Sequence, residues 1–122
     1  MATHNDLGRK GEAIAKAHLE ANGYEIMDEN WVFGRAEIDL IAYKNKTIIF
    51  AEVKTRTGNS FGEPEDFVDA RKQRLLADAA DEYIYLMNHQ GEARFDIISI
   101  LYDRNNNYTL KHIEDAFWPS AT

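Results

Sequence analysis

Four residues have types and spacings that could do chemistry together. Asp39 lies in "AEIDLIA" (36–42), Glu52 and Lys54 lie in "FAEVKTR" (50–56), and Glu12 lies in "GRKGEAIAK" (8–16). Side chains alternate between faces along a strand, so Glu37 and Asp39 share one face of the first segment, and Glu52 and Lys54 share one face of the second. A hairpin turning at residues 44 to 46 opposes positions whose numbers sum to about 90 or 91, which brings Asp39 close to Glu52. Facing carboxylates are destabilising unless a cation or a proton resolves them. Carboxylate oxygens with an open coordination face suit Mg²⁺ or Mn²⁺, which take waters and substrate phosphate as further ligands. Phosphodiester hydrolysis uses this equipment. A metal polarises the phosphoryl oxygen, and Lys54 would orient the attacking water and offset developing charge. Glu12 would hold a water at the metal.

The pattern by itself has a second reading, a sheet end where Asp39, Glu52 and Lys54 form a solvated salt-bridge cluster. With eleven Glu and seven Lys in 122 residues, chance alone gives about 0.6 Glu-x-Lys matches. The setting carries more information than the tripeptide. Ile48, Ile49, Phe50 and Ala51 are consecutive apolar residues, as in a strand covered on both faces and central in its sheet.

Around that hairpin the chain reads as alternating elements. Leu7, Ile14, Ala15, His18 and Leu19 recur near helical spacing, which predicts an amphipathic helix over 5–22, ending at Asn22-Gly23. Glu12 falls on its inward side at the edge of the apolar stripe, where a boundary Glu with its head in water is the plain alternative. Residues 24–33 read as a strand or irregular extended segment, and 36–43 and 47–55 as strands. Residues 56–66, with two Gly and one Pro, read as a mobile surface loop. Asp69 is a good N-cap for a helix running to about Asn88. Residues 93–102 and "YTLKHI" make two further strands around "DRNNN". This order predicts an α/β fold, one domain over 1–122 with a mixed central β-sheet flanked by helices.

Composition narrows the classes. The length and 44% hydrophobic content suit one core. Without cysteine there is no disulfide, thiolate nucleophile or Cys-ligated metal. No segment approaches the roughly 20 apolar residues that span a bilayer, and the first residues lack a signal-peptide core, so a cytoplasmic protein without a membrane partner is expected. The net charge of −7 argues against a protein that coats nucleic acid through bulk charge, and less against a nuclease, whose metal site needs carboxylates.

The segments "GRKGEAIAKAHLEANGYEIMDEN", "AEIDLIA", "FAEVKTR", "FGEPEDFVDARKQRLLADAADEYI" and "RFDIISI" follow in order the pattern of the YraN-like family, small bacterial proteins predicted to be endonucleases. The resemblance covers nearly the whole chain. It implies a restriction-endonuclease-like fold of the PD-(D/E)xK superfamily, similar to archaeal Holliday-junction resolvases. It also implies a metal-dependent DNA endonuclease using Mg²⁺ or Mn²⁺ and makes a homodimer plausible; a domain this small and acidic has no obvious element for major-groove readout, so selectivity for branched, flapped or single-stranded DNA in repair or recombination is expected. By the same resemblance Asp39, Glu52, the Val53 carbonyl and Glu12 are the metal-binding set, and Lys54 completes the catalytic group. Lys72 and Gln73 match the Lys-Gln at the start of the family's second helix, and Arg94 and Asp96 its Arg-x-Asp. Ala36 stands where relatives usually carry Gly, and Ile38 where the superfamily often carries Pro; neither removes a ligand. The alternative is a non-catalytic nucleic-acid-binding or protein-interaction module that retains the nuclease fold.

Among the remaining candidates, Arg56, Lys72, Gln73 and Arg9 are the residues expected to contact DNA. Arg94 is expected to pair with Asp96. Trp31 and Phe33 are expected in the core, and Phe61 is the better candidate for stacking on an unpaired base. None of the four histidines is expected to ligate a metal or act as a base.

Overall fold

The structure is a computed structural model and describes residues 4–58 and 68–118. The elements run α1 (His4–Ala21), β1 (Glu25–Phe33), β2 (Ala36–Lys44), β3 (Thr47–Thr57), α2 (Ala70–Leu86), β4 (Glu92–Tyr102) and β5 (Tyr108–Phe117). The strands lie in chain order in one five-stranded sheet. All neighbours are antiparallel except β3 and β4, which are parallel and joined through α2. Parallel neighbours need such a crossover, because no tight turn can join them.

β3 is central in position and in chemistry. Ile48 and Phe50 face α2 and pack with Leu76, Ala79, Ala80 and Tyr83, while Ile49 and Ala51 face α1 and pack with Ala15 and Leu19. The run of consecutive apolar residues therefore feeds two cores, one on each face of the sheet. The β2–β3 turn holds Asn45 and Lys46 at φ 50° and 63°, the backbone of a two-residue hairpin turn that matches strand twist. Lys44 opposes Thr47 and Leu40 opposes Ala51, a register summing to 91 throughout.

That pairing stops at Leu40 and Ala51. Beyond it β2 stays paired with β1 as far as Ala36, and β3 with β4 as far as Thr57. The sheet thus forks between its second and third strands at Asp39 and Glu52. Ile38 and Ile41, three residues apart, both join the α2-side core, so β2 breaks its alternation at the fork. Ala36 is buried in the same core and is not among the residues at positive φ. The turn is made by Gly34 instead, at φ 60°.

The last strand is longer than "YTLKHI" indicates, continuing through Glu114 to Phe117. A register shift opposite Phe95 and Ile97, with Asp115 at φ 52°, bends it over β4. The expected loop at 56–66 and the stacking role for Phe61 fall mostly or wholly outside the described residues.

Candidate metal centre

The fork brings Asp39 and Glu52 together through the main chain. Where the ladder bonds end, the Asp39 N–H donates to Glu52 Oε2 (3.3 Å) and the Val53 N–H donates to Asp39 Oδ2 (2.8 Å). Each carboxylate takes the place of a lost strand partner. Glu52 is only 6% exposed, and burial, followed by the charge of Asp39, pushes its pKa up to about 8 against the pull of Lys72 and the Asp39 N–H. Asp39 is also raised, by burial above all, against the Val53 N–H bond and the charge of Lys72. Burial and mutual repulsion thus disfavour ionisation of the pair, which a cation of higher charge would favour.

Lys72, in the first turn of α2, places Nζ 3.3 Å from Glu52 Oε1. Its backbone is held by the Asp69 cap, whose carboxylate accepts from the Lys72 N–H (2.8 Å). Lys54 is exposed and acts on Asp39 electrostatically, more weakly than Lys72. The ion-pair partner of Glu52 is thus Lys72, which reaches the carboxylate from the helix rather than the strand. Gln73 donates from Nε2 to the Val68 carbonyl (3.1 Å), a contact spent on its own helix start. Arg9 lies exposed on α1, 3.7 Å from Asp6, and Arg56 is exposed near the end of β3.

Glu12 enters from α1. Its carboxyl pKa is raised by burial and then by the Asp39 charge, so it senses the pair. Asn30 was missed at the sequence level. With its amide nitrogen turned to donate, it reaches Glu37 Oε1 (3.1 Å) and Glu12 Oε1 (3.3 Å), from a backbone at φ 51°. Asn tolerates that conformation better than most residues, which was the available signal. Among the described residues no group of three or more His, Cys, Asp or Glu could hold one ion. A cation here would rest on the Asp39–Glu52 pair, with Glu12 outside that pair.

Gly11 sets how close Glu12 can come. A Cβ there would run into the Thr55 side chain of β3. We expect Gly11→Ala to destabilise the fold by about 1–3 kcal/mol, and Thr55→Ala to recover part of the loss, as read by urea denaturation of the single and double variants. Beside this contact a cleft of about 210 Å³ is lined by Leu7, Gly8, Glu12, Val53, Lys54 and Arg56, among others.

Arg94 and Asp96 pair as the strand spacing indicates, and lie outside the Asp39–Glu52 pair. Asp96 is fully buried and accepts from Arg94 Nε (2.8 Å) and Nη2 (2.9 Å), from His112 Nε2 (2.7 Å) and from the Asp115 N–H (3.0 Å). Burial alone would raise its pKa, but the bonds from His112 and Arg94 outweigh that and hold it low. His112 Nδ1 also lies 3.0 Å from His18 Nε2, a ring-to-ring hydrogen bond that ties α1 to β5. The His18 pKa is lowered by burial and then by His112. A lowered histidine stabilises the fold fully above its ordinary value near 6.5 and loses that contribution as pH falls through the lower folded value. The thermal midpoint of the wild type should thus fall more steeply below about pH 6 than that of His18→Gln.

A five-stranded mixed sheet with one helix on each face, forked at a buried Glu52 and a half-buried Asp39, is an α/β architecture compatible with the restriction-endonuclease-like class. The chain belongs to the family described as "Uncharacterised protein family UPF0102", whose model matches residues 11–100; this is the YraN-like family of predicted endonucleases. It is 44% identical over 118 residues to a UPF0102 protein of Flavobacterium psychrophilum, covering 97% of this chain and 98% of that one. It is 42% identical over 119 residues to one of Bacteroides thetaiotaomicron, covering 98% of each. A third, of Chlorobium chlorochromatii, is 41% identical over 118 residues, with 93% and 92% covered. No helix among the described residues is long and apolar enough to cross a membrane.

Proposed function

We propose that the protein is a Mg²⁺- or Mn²⁺-dependent endonuclease that hydrolyses DNA phosphodiester bonds. The observation that carries this reading is the pair of carboxylates at the fork, Glu52 buried and Asp39 half-buried, both with raised pKa values. Their hard oxygen donors suit these ions, and a Mg²⁺ site needs only one or two carboxylates when waters and a substrate phosphate complete the shell. Asp39 and Glu52 would hold the ion, with the Val53 carbonyl as a further ligand. Bound there, the ion would polarise the phosphoryl group and acidify water. Lys54, exposed beside Asp39, presents positive charge to the phosphate as negative charge develops on it. Glu12, oriented by Asn30, can accept a proton or a hydrogen bond from water at the cleft. Arg56 and Arg9, both exposed, would meet flanking phosphates.

Structure-selective cleavage of branched, flapped or single-stranded DNA fits better than sequence reading, since neither described helix stands clear of the sheet to enter a major groove. Incubation with duplex, single-stranded, flap and four-way-junction DNA in Mn²⁺ should cleave at least one branched or unpaired substrate. Asp39→Ala should reduce the rate by about a hundredfold or more. A folded protein that binds these DNAs and cuts none would instead be a binding module on the nuclease fold.

A further inference from the structure

Lys72 and a divalent ion would compete for the same atom. Its Nζ lies 3.3 Å from Glu52 Oε1, while Oε2 is occupied by the Asp39 N–H. Lys72 is also the largest cationic influence on Asp39, ahead of Lys54. The two ends of this residue are held differently. Its N–H is bound by the Asp69 cap and the next residue, Gln73, donates its own N–H to the Asp69 carbonyl (2.9 Å). The Lys72 side chain, in contrast, is 48% exposed where that of Glu52 is 8% exposed. A fixed base with a four-carbon stem and a solvent-facing head can swing without disturbing the helix.

We propose that Lys72 is the resident counter-ion of the Asp39–Glu52 pair, displaced when a divalent cation binds and thereby released toward a substrate phosphate. The inference rests on the metal-site reading above. An ion on Glu52 Oε1 at the usual distance of about 2.1 Å would stand close to the ammonium, and two cations so near each other in a buried site repel strongly. Lys72 therefore leaves Oε1 when the metal arrives. Its backbone anchor keeps the freed ammonium at the mouth of the site, where the added positive charge favours a phosphodiester. Metal and DNA then bind cooperatively, each strengthening the other by the same factor.

The test uses Mn²⁺ and the full chain. Free Mn²⁺ is counted by electron paramagnetic resonance for the wild type, Lys72→Gln and Lys72→Arg, and amine-selective labelling of Lys72 is followed by mass spectrometry with and without saturating Mn²⁺. Lys72→Gln should bind Mn²⁺ about fivefold tighter or more, and Lys72→Arg should stay near the wild type. In the wild type the labelling rate of Lys72 should rise severalfold on Mn²⁺ addition, while that of Lys44, bonded to the Asn22 carbonyl, stays constant. This arm needs no variant to fold. Mn²⁺ binding with unchanged Lys72 labelling, or with unchanged affinity in a folded Lys72→Gln, overturns the displacement and leaves the metal site standing. Absence of Mn²⁺ binding by the wild type overturns both.

Discussion

Glu52→Gln is expected to stabilise the metal-free protein at neutral pH by on the order of 3 kcal/mol and to abolish its response to divalent cations. The ordinary Glu value of 4.5 rises to about 8 in the fold, so the folded state binds a proton that the unfolded chain releases. The stability tied to that proton is fully present below the unfolded value and is lost as pH rises from about 4.5 through about 8. Gln keeps an oxygen for the Asp39 N–H and has no charge to desolvate. Lys72, half exposed, loses its partner at little cost. Denaturation with a chelator present should show wild-type stability declining across this window and Glu52→Gln nearly level from this source. Adding Mn²⁺ at pH 8 should raise the wild-type midpoint and leave the variant where it was. A variant less stable than the wild type at pH 8 would mean that the carboxylate is already well compensated, and the case for a cation would fail with it.

The largest loss of stability is expected from Asp96→Ala, about 3–5 kcal/mol. Asp96 is fully buried, and its removal leaves Arg94 without its bidentate partner, His112 without its acceptor and the Asp115 N–H unpaired at the bend of β5. Arg94 Nη2 retains the Tyr24 hydroxyl (2.8 Å) and, more weakly, Glu114. Those contacts limit the damage but cannot replace a buried countercharge. Asp96→Asn should fall between the two, since it can still accept from Arg94. Guanidinium denaturation reads the difference directly, and a loss under about 1 kcal/mol would show that β5 is held by its apolar contacts alone.

These expectations draw unequally on what the sequence discloses. The β2–β3 hairpin was legible because its register follows from the turn, so the approach of Asp39 to Glu52 could be counted on paper. The central position of β3 was legible from its unbroken apolar run, and Arg94–Asp96 from strand alternation. The fork was not, because it depends on side chains substituting for ladder bonds, and period alone does not reveal where a ladder ends. The pairing of Lys72 with Glu52 was not legible, because nineteen intervening residues separate them and only the crossover through α2 brings the two together. His18 and His112 meet across 94 positions, through the packing of α1 on the sheet. Asn30 carried only the faint signal of a residue type tolerant of left-handed backbone.

The fork also makes the protein a recorder of its own charge state. The amides of Asp39 and Val53 hydrogen-bond to the carboxylates whose protonation and metal occupancy define the candidate site. Their chemical shifts and solvent-exchange rates must therefore follow those events, while the amide of Phe50, two residues inside the zipped part of the hairpin, supplies a silent reference. The occupancy of a spectroscopically dark ion such as Mg²⁺ becomes readable from two main-chain protons, without any label placed in the site.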